Sequence, residues 1–597
     1  MRKYALALLL ACGLAGIVST RLLSGKNHET ASANVSKGVA DFCLKDTRGQ
    51  DVALSSFKDR KAVVVLFLGT QCPINNAYIP RLAELQKEYE PRGVQFLGVN
   101  SNQQDDARQV AEHARQYEIP FPVLKDDGNH VADLLGAQRT PEAVVLDSQH
   151  VVRYRGRIDD QFGVGFKRSK PTRRDLASAL DEVLAGKPVS APATSVAGCY
   201  ISRAVKSEGD SKHSKVTYTR EVVRIMQKNC QECHRPGRIG PMSLLTYEDV
   251  AAWSDSIREV VAERRMPPWF ADPHVGKWLN DRSLCDSERD TLLAWIDQGC
   301  PQGDLRDMPP PREFVPGWSI GKPDVVFTMK NEFEVPAVAP KNGIEYQYFE
   351  VDTGFTEDKW VQCAEAKEGA PSVVHHIIVF IVAPDRTFIP KQGNAPLLCG
   401  TAPGDMPLII TPGNAKKIPR GSKLVFQVHY TASGKATRDR SSVGIIFAKE
   451  PPKRELRTLP VMQYNLHIPP GADNYEAEST MRFNWDNAYI LAFMPHMHLR
   501  GKDIRAEVIY PDNRKETVFS IPHYNFNWQS SYRLQEPISM PKGSKIHFVA
   551  HFDNSAKNPN NPDPTKTVRW GDQTWEEMMI GWTDVAVDIK PPLTASK

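Results

Sequence analysis

The 597-residue chain predicts a multi-domain architecture: an α/β domain, then a small all-α unit, then two consecutive all-β sandwiches. Three observations predict it. The length exceeds what one hydrophobic core serves and, at about 150 residues per domain, implies roughly three to five units. Strand and helix patterns alternate over the first third, then yield to a short helical stretch around a paired-cysteine motif. The remainder is β-branched runs broken by turns, to which 45 Pro and 38 Gly contribute. Charge selects no partner: 75 Lys+Arg stand against 71 Asp+Glu without a long single-sign run, which argues against a nucleic-acid footprint.

Residues 1–33 read as an export signal plus linker. Arg2 and Lys3 precede an apolar run from Tyr4 to Val18, too short to span a bilayer comfortably. Leu9-Leu10-Ala11-Cys12-Gly13 resembles a bacterial lipobox, which would lipidate Cys12 and attach the chain to a membrane. A secretory signal with an incidental cysteine is the alternative. The expected location is the periplasm or cell envelope, where disulfides form.

Over 34–188, Ala62–Leu68 is a continuous apolar run, as in a strand buried on both faces. A helix is expected over Asn76–Tyr89, a strand over Val94–Val99, a helix over Asp105–Tyr117 and a strand over Ala143–Leu146. Gly69-Thr70-Gln71-Cys72-Pro73-Ile74-Asn75, between strand and helix, resembles the active-site turn of the thioredoxin and redoxin superfamily, and Thr140-Pro141 its cis-proline loop. The resemblance implies a thioredoxin-like fold. Asn75 stands where a thioredoxin has its second cysteine, so a CxxC couple is impossible there. At a helix N-terminus Cys72 could still react as a thiolate; a redox-dead docking module is the alternative.

A Ser/Ala/Pro/Lys-rich stretch, 189–215, reads as a linker. In 216–305 a helix from Glu221 to Asn229 leads into Cys230-Gln231-Glu232-Cys233-His234, a CxxCH signature that predicts one covalent c-type haem with His234 on the iron. No second ligand pair follows with zinc-finger spacing. Helices are expected over Tyr247–Arg265 and Ser287–Gln298, with Met266-Pro267-Pro268-Trp269 after the first. The order resembles a small cytochrome c domain, which makes Met266 the sixth ligand and Met242 its competitor. Cys285 and Cys300 bracket the last helix and are a candidate disulfide.

Two β-sandwiches are expected over 310–455 and 456–590. Against their patterns stand His375-His376 at the start of an apolar strand, His429 near the end of another, His496-Met497-His498, and Met578-Met579. One histidine on an apolar strand is more often structural than a ligand; five on three strands are not easily structural. Imidazole suits copper and a thioether favours Cu(I), whereas zinc is the alternative for a three-histidine site taken alone.

This order resembles the type II, ascorbate-dependent copper monooxygenases, the family of the peptidylglycine α-hydroxylating and dopamine β-monooxygenases. The resemblance implies two coppers per chain: an electron-transfer copper on His375, His376 and His429, and an O2-activating, catalytic copper on His496, His498 and Met578, with Met579 as the register alternative. The sites would face across a wet cleft, and the reaction would be hydroxylation of a C–H bond with O2. Met494 and Trp582 occupy positions where the peptide-hydroxylating enzymes carry a substrate-binding arginine and tyrosine, which favours an apolar small molecule over a peptide. Cys363 and Cys399 flank the first histidine pair and are a second candidate disulfide. His523, His547 and His551 are expected to be structural. Electrons would come from an external donor through the haem. A non-catalytic copper- or electron-handling protein, and a thiol oxidoreductase or peroxidase centred on Cys72, are the other readings.

Overall fold

The computed structural model describes residues 38–168, 170–203, 215–314, 317–340, 343–389, 395–402 and 406–589. The signal segment and Cys12 lie outside them. Among the described residues no helix is long and apolar enough to cross a membrane.

The first unit is a seven-stranded sheet in the order 51–53, 43–46, 123–125, 94–100, 62–67, 142–147, 152–156. Strand Ala62–Phe67 lies at its heart, parallel to Val94–Asn100 and antiparallel to Glu142–Asp147. Its unbroken apolar run follows from burial on both faces. Ala62, Val64 and Leu66 enter the core beneath helices Pro73–Tyr89 and Asp175–Leu184, while Val63, Val65 and Phe67 enter the core beneath His130–Leu135. The Thr140–Pro141 peptide is cis.

The segment read as a linker does not leave this unit. Arg155 donates to Pro192 O (3.0 Å), Thr194 donates back to Arg155 O (3.1 Å), and Cys199–Tyr200 pairs antiparallel with Arg139–Thr140. A composition rich in small residues and proline can lie flat along a sheet end as readily as it can form a tether. Here 189–203 is part of the α/β unit.

The helical unit contains Val223–Asn229, Tyr247–Ala252, Ser254–Ala262 and Asp286–Asp297 around Trp295, Met226 and Leu292. The single helix expected over Tyr247–Arg265 is broken at Trp253, whose backbone (φ −95°, ψ 8°) leaves the helical range to bury the indole. Neither proposed disulfide of the C-terminal two-thirds forms. Cys285 and Cys300 sit at opposite ends of the 12-residue helix Asp286–Asp297, roughly 18 Å apart at 1.5 Å per residue, against a reach of about 7 Å for a disulfide. Cys399 is buried in the core of the first sandwich and Cys363 lies half-buried on strand Lys359–Lys367, both as thiols.

The two sandwiches share a sheet. Its order is 325–328, 442–447, 359–367, 414–418, 454–462, 579–588, 488–497, 532–539, with 408–409 pairing beside 359–367, so five strands of the first half and four of the second form one surface. Asn414↔Arg454 and Ala415↔Glu455 pair in parallel at the seam. The expected boundary at 455/456 therefore falls inside strand Arg454–Met462; the chain changes sandwich just before Arg454. A separate four-stranded sheet closes each half: 347–352, 423–430, 374–382, 397–401 in the first, and 475–482, 545–552, 501–509, 515–521 in the second.

Residues 269–280 leave the helical unit and enter the second sandwich. Leu279 donates to Arg533 O (2.7 Å), Gln535 to Lys277 O (2.9 Å), and Trp278 is buried edge-on to Phe493, Phe519 and Tyr532. Trp278→Ala is expected to remove about 3–5 kcal/mol from unfolding of the second sandwich, read by denaturant titration, and to expose 269–280 to limited proteolysis.

Candidate functional site

Adjacent strand residues normally point to opposite faces, so His375 and His376 should diverge. A bulge between Val374 and His376 in the pairing with Lys423–Tyr430 removes the conflict. His376 then lies directly across from His429, and the donor nitrogens of His375, His376 and His429 come within 4.8 Å of one another. His375 Nδ1 is 3.2 Å from His376 Nδ1, and His429 Nδ1 is buried without a hydrogen-bond partner. Three lone pairs converging in a dry place suit a metal ion.

His496 and His498 need no bulge. Two residues apart, at the end of strand Ala488–Met497, they share a face, with ring centroids 5.1 Å apart. Alternation sends Met497 and Met579 into the core, both fully buried, and turns Met578 to the same cavity as His496. Gln529 Oε1 lies 2.6 Å from His496 Nδ1, and the Glu576 carbonyl 3.2 Å from His498 Nδ1. Acceptors at both Nδ1 positions leave Nε2 of each ring to bind a metal. The Glu577 carboxylate accepts from His498 N (2.8 Å), Arg500 N (2.6 Å) and Met578 N (3.3 Å), tying both ligand-bearing segments to one anchor.

The two sets share a cavity of about 140 Å³, lined by His376 from the first and His496 and Met578 from the second. Between them Phe526 stacks on His375 (centroids 5.9 Å, 20°) and meets His498 edge-on (5.8 Å, 82°). An aromatic wedge and a part-open, mostly apolar cavity lie between the sets. Tyr346 packs on the first set, its ring 4.9 Å from that of His429. Met494 and Trp582, cross-strand partners, wall this cavity and also a neighbouring one of about 260 Å³.

Burial is the main force holding these imidazoles neutral, with repulsion between the rings adding to it. His375 is lowered to about 4 and His429 to about 3, His496 is lowered, and His376 and His498 fall well below the usual value. His523 is exposed, while His547 and His551 pair with Glu478 (3.0 Å) and Asp503 (2.7 Å), outside the cavity.

Cys230, Cys233 and His234 occupy the turn after helix Val223–Asn229, closed by Cys233 N and His234 N donating to Cys230 O (3.2 and 3.0 Å). Burial raises both thiols, Cys230 to about 12, and lowers His234. At Gly240 a Cβ would lie 2.8 Å from both Cα and Nδ1 of His234, so only glycine leaves the ring this room. Two adjacent thiols and a neutral imidazole fit covalent haem attachment. Met242 packs on the helical core beside Cys230; Met266 lies outside that core, its N–H on Val260 O (3.1 Å) and its peptide to Pro267 cis.

In the α/β unit, Cys72 caps helix Pro73–Tyr89 and donates to Thr140 O (3.1 Å). Gln529, Phe526, Glu577 and Tyr346 carry no periodic signal and were not foreseen. Neither was Cys199, which lies against Cys72; counting it among the thiols of an exported chain was the available clue.

Fold and site thus define an oxidoreductase that joins a thioredoxin-like unit to a metal-binding pair of sandwiches. Residues 35–158 match the AhpC/TSA family, and residues 457–581 match the copper type II ascorbate-dependent monooxygenase C-terminal domain, which implies copper. The chain is 31% identical over 140 residues to peroxiredoxin Q, chloroplastic, of Oryza sativa subsp. japonica, covering 22% of this chain and 63% of that one. It is 28% identical over 140 residues to the thiol-disulfide oxidoreductase ResA of Bacillus thuringiensis subsp. konkukian, covering 24% and 78%. The chain spans less than two thirds of the peroxiredoxin Q length. Among solved structures, a hypothetical protein of Sinorhizobium meliloti 1021 is 31% identical over 28% of this chain and 94% of that one, with a TM-score of 0.27.

The neutral rings set a pH dependence for the metal-free protein. Unfolded, His375 takes a proton near pH 6.5; folded, only near pH 4. Its contribution to stability is complete above pH 6.5 and is lost as pH falls, amounting to roughly 3 kcal/mol by pH 4. Urea titrations at pH 7 and pH 4.5 are expected to differ by at least this share, and His375→Asn to reduce the difference while the other four lowered rings keep the rest of it.

Proposed function

We propose that this chain is an exported, copper-dependent monooxygenase that hydroxylates a C–H bond of an apolar small molecule with O2. Single electrons come from an external donor through a covalent c-type haem on Cys230, Cys233 and His234. The observation that carries the reading is the pairing of two chemically unlike donor sets on one cavity: three imidazoles on one side, two imidazoles and a thioether on the other. A storage protein gains nothing from unlike sites, whereas a reaction that needs two single electrons and an O2-binding position does.

Bound copper would supply one-electron redox chemistry and O2 activation. The chain's own residues do the rest. His375, His376 and His429 hold one ion in a dry site, and the bulge at Val374 makes their convergence possible. His496, His498 and Met578 would hold the other, and the thioether would favour its reduced state. Gln529 and the Glu576 carbonyl fix the rings by their Nδ1 atoms. Met494 and Trp582 give the wall apolar surface, which supports an apolar substrate. Tyr346 packs on His429, and Phe526 fills space between the two sets.

The haem would supply one-electron transfer, and Cys230 and Cys233 would attach it. Met266 and Met242 are separated by substitution: the variant that loses the thioether-to-iron absorption band identifies the ligand.

Metal and haem analysis of the full chain from the periplasmic fraction is expected to give two coppers and one haem, with His429→Ala falling to one copper. Met578→Ala is expected to abolish substrate-dependent O2 consumption at unchanged haem content. Unchanged O2 consumption in that variant, or a wild type with one O2-inert copper, overturns the reading.

A further inference from the structure

We infer that Cys72 and Cys199 form one dithiol–disulfide couple, through which the thioredoxin-like unit exchanges electrons with an external dithiol. This goes beyond the copper reading and does not depend on it.

The usual second thiol of such a turn is absent, because Asn75 is fully buried with its amide donating to Gly69 O (2.9 Å). Its place is taken from far along the chain. Strand Cys199–Tyr200 pairs antiparallel with Arg139–Thr140, setting Cys199 opposite Thr140. The Thr140 carbonyl accepts the Cys72 thiol at 3.1 Å, so Cys72 and Cys199 meet at the same residue, near enough for each thiol to shift the titration of the other.

Three features hold the strand there. Gly198 (φ +151°) passes so close to Thr140 that a Cβ would lie 2.0 Å from its carbonyl oxygen, and only glycine permits the approach. Arg139 donates to Gly198 O (2.7 Å) and pairs with Glu259 (3.1 Å). Tyr200 N donates to Ser256 Oγ (3.2 Å) of helix Ser254–Ala262. Cys199 is therefore clamped between the α/β and helical units, opposite the residue that holds the Cys72 thiol and packed on the helical core.

Accessibility assigns the roles. Cys72 is 1% exposed, whereas Cys199 is half-buried. In the oxidised form an external thiolate attacks Cys199 Sγ, the Cys72–Cys199 bond breaks, and Cys72 leaves as a thiolate. The second thiolate of the dithiol then attacks its own sulfur in the mixed disulfide and releases Cys199. Two electrons and two protons pass from the dithiol to the pair, and the reverse sequence reoxidises the pair with an external disulfide.

The environment suits Cys72 as the leaving group. Burial alone would raise it, but hydrogen bonds from the Cys199 thiol and N–H, the Asn75 N–H and Thr140 outweigh burial and bring it down to about 6, while contact with Cys72 pushes Cys199 up. A lower pKa leaves faster. A peroxidase is less well served, because the Thr70 hydroxyl is committed to Asp105 (2.6 Å) rather than aimed at a bound peroxide.

The test is a titration of the full-length wild-type chain in glutathione redox buffers, followed by N-ethylmaleimide blocking, digestion and peptide mapping by mass spectrometry. The expected result is a Cys72–Cys199 linked peptide that appears in one two-electron transition and disappears on adding dithiothreitol. In Cys199→Ser the internal link is absent and Cys72 is found either glutathionylated or alkylated. Three wild-type results overturn the proposal: Cys72 glutathionylated while Cys199 stays alkylatable, both thiols unchanged in fully oxidised buffer, or a link formed by hydroperoxide alone.

Discussion

Five imidazoles wholly or partly withdrawn from water set the terms for the C-terminal half. A buried ring nitrogen without a partner carries a desolvation cost of about 1–3 kcal/mol, so each must end on an acceptor or a metal. His496 and His498 meet this with Gln529 and the Glu576 carbonyl, and His429 Nδ1 is left for an ion. Loop positions that resemble surface chain are thereby constrained. Gln529 and Phe526 come from one loop, the first fixing a ring and the second filling the space between the donor sets.

The donor sets can share a cavity because the sandwiches are not two beads on a string. Two parallel pairings, Asn414↔Arg454 and Ala415↔Glu455, merge their sheets into one surface. Hinge motion between the halves would have to break that ladder, so the spacing of the sets is set by sheet geometry. Met578 lies at the start of the central strand of the second half, so the thioether position is set by the same sheet.

Much of this was legible from residue type and period. The doubly buried strand at 62–67, the His-x-His pair and the CxxCH turn each declare themselves locally, because alternation and motif spacing act over a few residues. What escaped depends on contacts made far along the chain. The bulge that unites His375 and His376 exists only in the pairing with 423–430. The choice of Met578 over Met579 follows from pairing phase with 488–497. Cys199 lies in a stretch with linker composition, and its partner strand is two residues long. The Cys285–Cys300 disulfide failed for a related reason: proximity in sequence says nothing of which end of a helix a thiol occupies.

The docking of the units bears on how electrons could travel. The strand carrying Cys199 is held against helix 254–262 by Arg139–Glu259 and Tyr200–Ser256. That helix leads through Met266 into 269–280, which completes the edge of the second sandwich beside 532–539. Asn527, next to Phe526, donates to Gly165 O of the thioredoxin-like unit at 2.8 Å, closing the circuit from the other side. The thiol pair, the CxxCH turn and the donor cavity therefore lie on one packed framework. Among the described residues, the contacts nearest the Cys72–Cys199 strand outside its own unit are with the helical unit that supports the CxxCH turn.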